Sequence, residues 1–174
     1  MRRLIILMIL SAALTVPLDA LGATGERSRR GYFTTETGET SLVRSAGAHM
    51  AARTDLAASV LATRCKRVWA ARVYRNVFGT VLWKYFQQQA FCYNGVRVTS
   101  LYDWRRWPEL RAPGWTFKGH IARARTGRAG SWHYGTWTQG RFRLCWAWCI
   151  EERLPWVDLD VYGNGAWSHR TGGT

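Results

Sequence analysis

Residues 79–103 read GTVLWKYFQQQAFCYNGVRVTSLYD, and this stretch decides the fold class. Val81 to Tyr93 is rich in β-branched and aromatic residues, and Asn94-Gly95 interrupts it. The chain then returns with Val96, Val98, Tyr102 and Trp104 on one face and Arg97, Thr99 and Asp103 on the other. Asn-Gly between two β-rich runs is the strongest short-range hairpin signal, because both central residues of a type I′ turn need φ > 0. The prediction is an antiparallel pair beside which further strands are laid.

Outward from this pair the same pattern repeats. Lys66 to Val77 is β-branched and aromatic, and Phe78-Gly79-Thr80 marks a turn. Trp115, Phe117, Gly119 and Ile121 alternate with Thr116, Lys118 and His120, the mark of a half-buried strand. Trp132 to Thr138 reads as a further strand. Arg141 to Ile150 alternates strictly, with Phe142, Leu144, Trp146, Trp148 and Ile150 on one face and both cysteines on the other. Val157, Leu159 and Val161 point inward from the next strand, and Asn164-Gly165 turns the chain once more. Two segments are predicted as loops: Trp104 to Gly114, which holds two prolines, and the basic Ala122 to Gly130. Seven or eight short strands with no helical run predict an all-β fold, an antiparallel β-sandwich or small barrel over residues 64–174.

The upstream chain differs. Arg2 and Arg3 precede the apolar Leu4 to Val16, and Ala20-Leu21-Gly22 follows, so residues 1–23 read as a signal peptide cleaved near Gly22 or Ala23. Residues 24–63 hold no Trp or Cys and read as a disordered or weakly helical leader. The mature chain is expected to be secreted, without a transmembrane segment and with no cofactor. Of the formal net charge of +14, +12 sits on Arg64 to Thr174, which favours anionic partners. Lys occurs only three times, and so strong an Arg bias also arises from base composition.

Four cysteines in an exported chain predict two disulfides. If Arg141 to Ile150 is extended, Cys145 and Cys149 stand about 13 Å apart, beyond bonding reach. Cys92–Cys145 and Cys65–Cys149 are therefore the favoured pairs, bridging the two layers, and only a tight turn at Ala147-Trp148 would join Cys145 to Cys149. An even count leaves no thiol for Cys92 to share with His120 or His133 in catalysis. A zinc site from His120, His133, Cys145 and Cys149 lacks any compact ligand spacing.

Three surfaces are candidates. Trp146 and Trp148, with Trp156 and Tyr162, could stack on sugar rings. Lys118 to Arg128, with Lys118, Arg123 and Arg125 between Trp115 and Trp132, combines phosphate-contacting charge with stacking rings. Asp158 and Asp160 share a strand face at a spacing that does not exclude glycoside cleavage. No Gly-rich phosphate loop, Gly-x-Ser-x-Gly elbow or His-Glu-x-x-His helix occurs, which lowers the expectation of an enzyme.

Phe78-Gly79, Leu82-Trp83, Phe91-Cys92-Tyr93-Asn94-Gly95, Gly114-Trp115, Phe142 with Cys145, and Pro155 before Val157 to Gly165 carry a resemblance across the last two-thirds of the chain. In these the sequence resembles a group of small secreted, Cys- and Trp-containing β-rich proteins of high-GC Gram-positive bacteria, a resemblance that implies no activity. The expected function is non-catalytic binding of an extracellular carbohydrate or anionic cell-wall polymer, with nucleic acid not expected. A secreted effector (small toxin or inhibitor) is the alternative, and an extracellular hydrolase the third.

Overall fold

The computed structural model describes residues 31–42 and 63–174 and shows an all-β protein of two antiparallel sheets. The first is a meander of β1 (Tyr32–Leu42), β2 (Arg64–Arg75), β3 (Val81–Tyr93) and β4 (Val98–Leu110), hydrogen-bonded in that order. The second runs β5 (Trp115–Gly127), β6 (His133–Cys145), β8 (Trp156–Tyr162) and β9 (Trp167–Gly172), with the short β7 (Cys149–Arg153) pairing with β6 beyond the reach of β8. The expected sandwich is the observed architecture. Residues 64–174 alone contribute eight of its strands.

β3 is the centre of the first sheet, and its odd positions face the second. Trp83, Tyr85, Gln87, Gln89 and Phe91 are all at most 2% exposed. Trp83 is stacked on Phe142 of β6, with centroids 4.1 Å apart and planes 11° from parallel. Tyr74, Trp115, Val157 and Leu159 complete that cluster. A second cluster, of Val68, Phe91, Val98, Tyr134 and Val161, fills the opposite end. Side chains of this size stabilise by about 1.5–3 kcal/mol each when fully buried. Between the clusters lies a polar belt, where Gln87 Nε2 donates to Thr136 O (2.8 Å) and Oγ1 (2.6 Å).

Several expectations are corrected. Tyr32–Leu42, assigned to the leader, forms edge strand β1, paired along its whole length with β2. It shows no apolar alternation because its partner supplies the order. Of its apolar side chains Phe33 packs inward, 4.8 Å from Tyr74, and Gly38 leaves room for the ring of Trp69. The proposed signal peptide and the rest of the leader lie outside the described residues.

Trp104–Leu110 is strand rather than loop. Pro108 sits opposite Tyr85 and is tolerated because β4 is an edge strand, with no neighbour awaiting its missing N–H. Ala122–Gly127 likewise continues β5, the edge of the other sheet, where charge and exposure are expected.

The Asn94-Gly95 turn is a four-residue loop between Tyr93 and Val98, not a two-residue type I′ turn. Gly95 has φ 93° while Asn94 stays at negative φ. Asn94 instead uses its side chain, whose Oδ1 accepts from Val96 N (3.1 Å) and Arg97 N (3.0 Å).

The disulfide map is the reverse of the favoured one. Cys65 bonds Cys92, and Cys145 bonds Cys149. Arg141–Ile150 is not one strand, since residues 146–148 form the tight turn that alone could bring Cys145 back to Cys149. Cys65 and Cys92 are direct neighbours on β2 and β3. Each bridge therefore lies within one sheet, and the two layers are held together by packing.

Candidate functional site

A sandwich of two open sheets has two seams, where edge strands of different layers come close without pairing. One lies between β1 and β9, the other between β4 and β5. The second opens into a cleft of about 600 Å³ lined by Gln88, Trp104, Arg105, Arg106, Trp107 and His120.

A bulge in β4 shapes this seam. The register shifts between Gln88 and Ala90, and Asp103 opposite it takes φ 53°, a left-handed conformation rare outside glycine. Asp103 gathers its neighbours on the outer side, accepting from Arg67 (2.9 Å), Gln88 Nε2 (2.9 Å) and Arg105. Beyond the bulge the strand turns Arg106 towards the interior, where it donates to Thr138 Oγ1 (3.3 Å). From the other layer the guanidinium of Arg125 lies 4.3 Å from the ring centre of Trp104, and that of Arg106 lies 5.5 Å from the same ring. Cation–π contacts of this kind align guanidinium and indole planes at modest energy.

Tyr85 closes the floor. Its hydroxyl is 2.9 Å from both His120 Nδ1 and Thr138 Oγ1. Burial pushes the Tyr85 phenol up to about 12, partly opposed by Thr138 and Arg106. Burial, followed by the nearby Arg106 charge, holds His120 below its ordinary value. Near neutral pH both groups are therefore uncharged, and Arg106 is the permanent charge at the mouth. Deeper in, Gln87 Oε1 and Gln89 Oε1 are buried without a protein partner, as is Trp104 Nε1.

The edge is also unbalanced in charge. Among the described residues Arg106, Lys118, Arg123, Arg125 and Arg128 form no ion pair, and neither do Arg64, Arg72 and Arg97, whereas most other cations do, such as Lys66 with Glu39 (3.0 Å), Lys84 with Glu36 (2.5 Å) and Arg170 with Asp158 (2.5 Å). Arg106 and Arg125 over the Trp104 ring, with exposed Lys118, Arg123 and Arg128 on β5 and the turn that follows it, make a surface that can attract an anion.

The residues singled out in the sequence are distributed over three places. Arg123 and Arg125 stand in this seam, opposite Thr138 and Thr136, and exposed Lys118 lies on the same strand at its bulge. Trp146 and Trp148, 70% and 73% exposed, form the β6–β7 turn instead of sharing a sheet face. Trp156 and Tyr162 lie half-buried on the second sheet's outer face, Trp156 over Gly172 and Tyr162 beside His133. Asp158 and Asp160 share that face, but each has a partner, Arg170 and His133 Nε2 (2.6 Å) respectively.

With every cysteine in a disulfide, neither a Cys92 thiol nor zinc-binding thiolates at Cys145 and Cys149 exist. The residues missed are Gln88 and Trp104 to Trp107, while His120 enters the sequence reading only as a partner for Cys92 or a zinc ligand. The run Trp104-Arg105-Arg106-Trp107 was visible, but two following prolines gave it the look of a loop. No family model, curated protein or solved structure matches the chain.

Proposed function

We propose that the protein is a secreted, non-catalytic binding protein that holds an anionic cell-surface polymer along the β4–β5 edge. The observation that carries this reading is the set of five cations along one edge, Arg106, Lys118, Arg123, Arg125 and Arg128, that find no carboxylate among the described residues; two of them, Arg106 and Arg125, lie over the Trp104 ring. Unpaired arginines along one edge repel each other, and a polyanion relieves that repulsion while releasing its own counterions. The indoles add sugar-ring or acyl contacts to what would otherwise be charge alone. Two disulfides suit an oxidising compartment outside the cytoplasm.

The test is binding of polygalacturonate and of poly(glycerol phosphate), with neutral dextran as control. Affinity for the charged polymers should fall steeply with added salt, since exposed charges are screened beyond about 8–10 Å. Arg123→Ser with Arg125→Ser should weaken it by roughly tenfold or more. Salt-independent binding, or equal binding of dextran, would sink the proposal.

A further inference from the structure

Most of the exposed large hydrophobic side chains gather at one end of the sandwich. Phe78 is 89% exposed and Val77 42% in the β2–β3 turn. Trp146, Trp148 and Ile150 are 70%, 73% and 60% exposed around the β6–β7 turn. Topology brings the two turns together. The antiparallel order puts the end of β2, the starts of β3 and β5 and the ends of β4 and β6 on the same side. The β4–β5 connection ties them: Arg111 N and Ala112 N donate to Leu82 O (3.0 and 3.1 Å), and Cys145 N donates to Gly114 O (2.9 Å). A Cβ on Gly114 would stand 2.9 Å from the Trp146 ring, so that indole lies directly on the connection.

Both tips are fixed before they meet anything. Asn76 Oδ1 accepts from Phe78 N (3.0 Å) and Thr80 N (2.9 Å), which sets the turn that projects Phe78. The Cys145–Cys149 bridge sets the turn that projects the two tryptophans. Little chain entropy is left to lose on docking.

We propose that this end docks on an anionic lipid bilayer, with Phe78, Trp146 and Trp148 entering the boundary between headgroups and acyl chains. The inference is separate from the proposed polymer site, which lies along the β4–β5 edge. Four features favour a bilayer over a protein partner. The apolar groups are convex tips, which penetrate a deformable phase and do not form a groove. Indole and phenyl rings are the side chains best suited to the interface. The charges nearest the tips are matched, Arg75 with Glu36, Arg111 with Glu109, Arg143 with Glu152 and Arg153 with Glu151, which lowers the cost of bringing them to the lipid boundary. The formal net charge of +14 attracts the whole molecule to an anionic surface. A second copy is a poorer fit, because the cleft of about 310 Å³ beside the hairpin is lined by Arg143, Glu151 and Glu152 as well as Cys149 and Ile150, so a ring seated there would meet three charged side chains.

The experiment is co-sedimentation of the disulfide-bonded protein with vesicles of equimolar phosphatidylglycerol and phosphatidylcholine, with quenching of Trp emission by brominated lipid. Phe78→Ser with Trp148→Ser should lower partitioning by roughly tenfold or more and abolish the extra quenching. The same variant should still bind polygalacturonate. Unchanged partitioning would overturn the inference, whether Leu4 to Val16 or the β4–β5 arginines then proved responsible. So would a parent dimer that this variant converts to monomer, because the tips would then serve self-association.

Discussion

The two seams of the sandwich are built from similar strands but end in opposite electrostatic states. At the β1–β9 seam most polar groups that reach across find a partner, although Arg72, which donates to Thr171 Oγ1 (3.4 Å), keeps a buried Nε without one. Thr35 Oγ1 meets Thr171 Oγ1 at 2.7 Å, and Glu39 accepts from both Lys66 Nζ (3.0 Å) and Trp167 Nε1 (2.6 Å). At the β4–β5 seam Tyr85, Thr138 and Arg106 also bridge the layers, and Arg105 meets Asp103, but Arg106, Arg123 and Arg125 have no carboxylate partner among the described residues. Structure uses the first seam to close the fold. The second carries exposed cations without a carboxylate among the described residues, and the polymer binding proposed above draws on them.

The largest effect expected concerns what holds the layers together in the first place. Neither disulfide crosses from sheet to sheet, so loss of either should cost stability without opening one seam selectively. Chain-entropy arguments give about 3–4 kcal/mol for Cys65–Cys92, whose partners are 27 residues apart, and about 2 kcal/mol for Cys145–Cys149, separated by 4. Urea unfolding of the two double Cys→Ser variants measures both. A larger loss from the Cys145–Cys149 pair, or abolished polymer binding by the folded form of either variant, would mean that a bridge props up a seam after all.

The next effect separates the seams by pH. Tyr85 lies in the open seam, and its phenol is raised from 10 to about 12 in the fold. An acid held neutral contributes its full stability below pH 10 and loses it as pH rises from 10 towards 12, because the unfolded chain then gives up a proton that the folded one keeps. Two pKa units amount to about 2–3 kcal/mol. Tyr74 and Tyr134 are raised as well, so the contribution of Tyr85 is read from the variant. Tyr85→Phe should flatten the alkaline fall in stability, and an unchanged pH profile would show that the phenol is more hydrated than its burial implies.

How much of this contrast the sequence displayed depends on which forces set each element. The central strands were legible because burial imposes alternation: Trp83, Tyr85 and Phe91, or Val157, Leu159 and Val161, repeat at the period of a pleated sheet. Edge strands were not. β1 and the outer halves of β4 and β5 have a neighbour on one side only, so they tolerate Pro108, Gly38 and runs of Thr or Arg that otherwise signal loops. The candidate site lies between two such edges and was missed for that reason, although Arg123 and Arg125 were marked for their charge.

The cysteines show the reverse failure. The strict alternation of Arg141 to Ile150 is real, yet a covalent turn overrides it at Trp146 to Trp148. Periodicity reports which positions could share a face, and it cannot report that the strand stops.

The smallest effect is the sharpest test of the comparison, because it sets one residue of each seam against the other. Glu39 accepts two hydrogen bonds, from an ammonium whose side chain is only 11% exposed and from an indole. Glu39→Ala leaves both donors short of an acceptor, and the loss should be roughly 1–3 kcal/mol, moderated by the partial exposure of Glu39 itself. Arg125→Ala removes one exposed cation–π contact and one member of a group of like charges. The first loss is worth about 0.5–1 kcal/mol and the second is a relief, so the net change in stability should be under about 1 kcal/mol. Binding should move the other way, with Arg125→Ala weakening polygalacturonate and Glu39→Ala leaving it unchanged. Thermal unfolding and polymer titration on the same two variants give four numbers, and the contrast requires that they cross. Should Arg125→Ala destabilise the fold as much as Glu39→Ala, the open seam would be a structural device like the closed one, and the charge on it would need no partner.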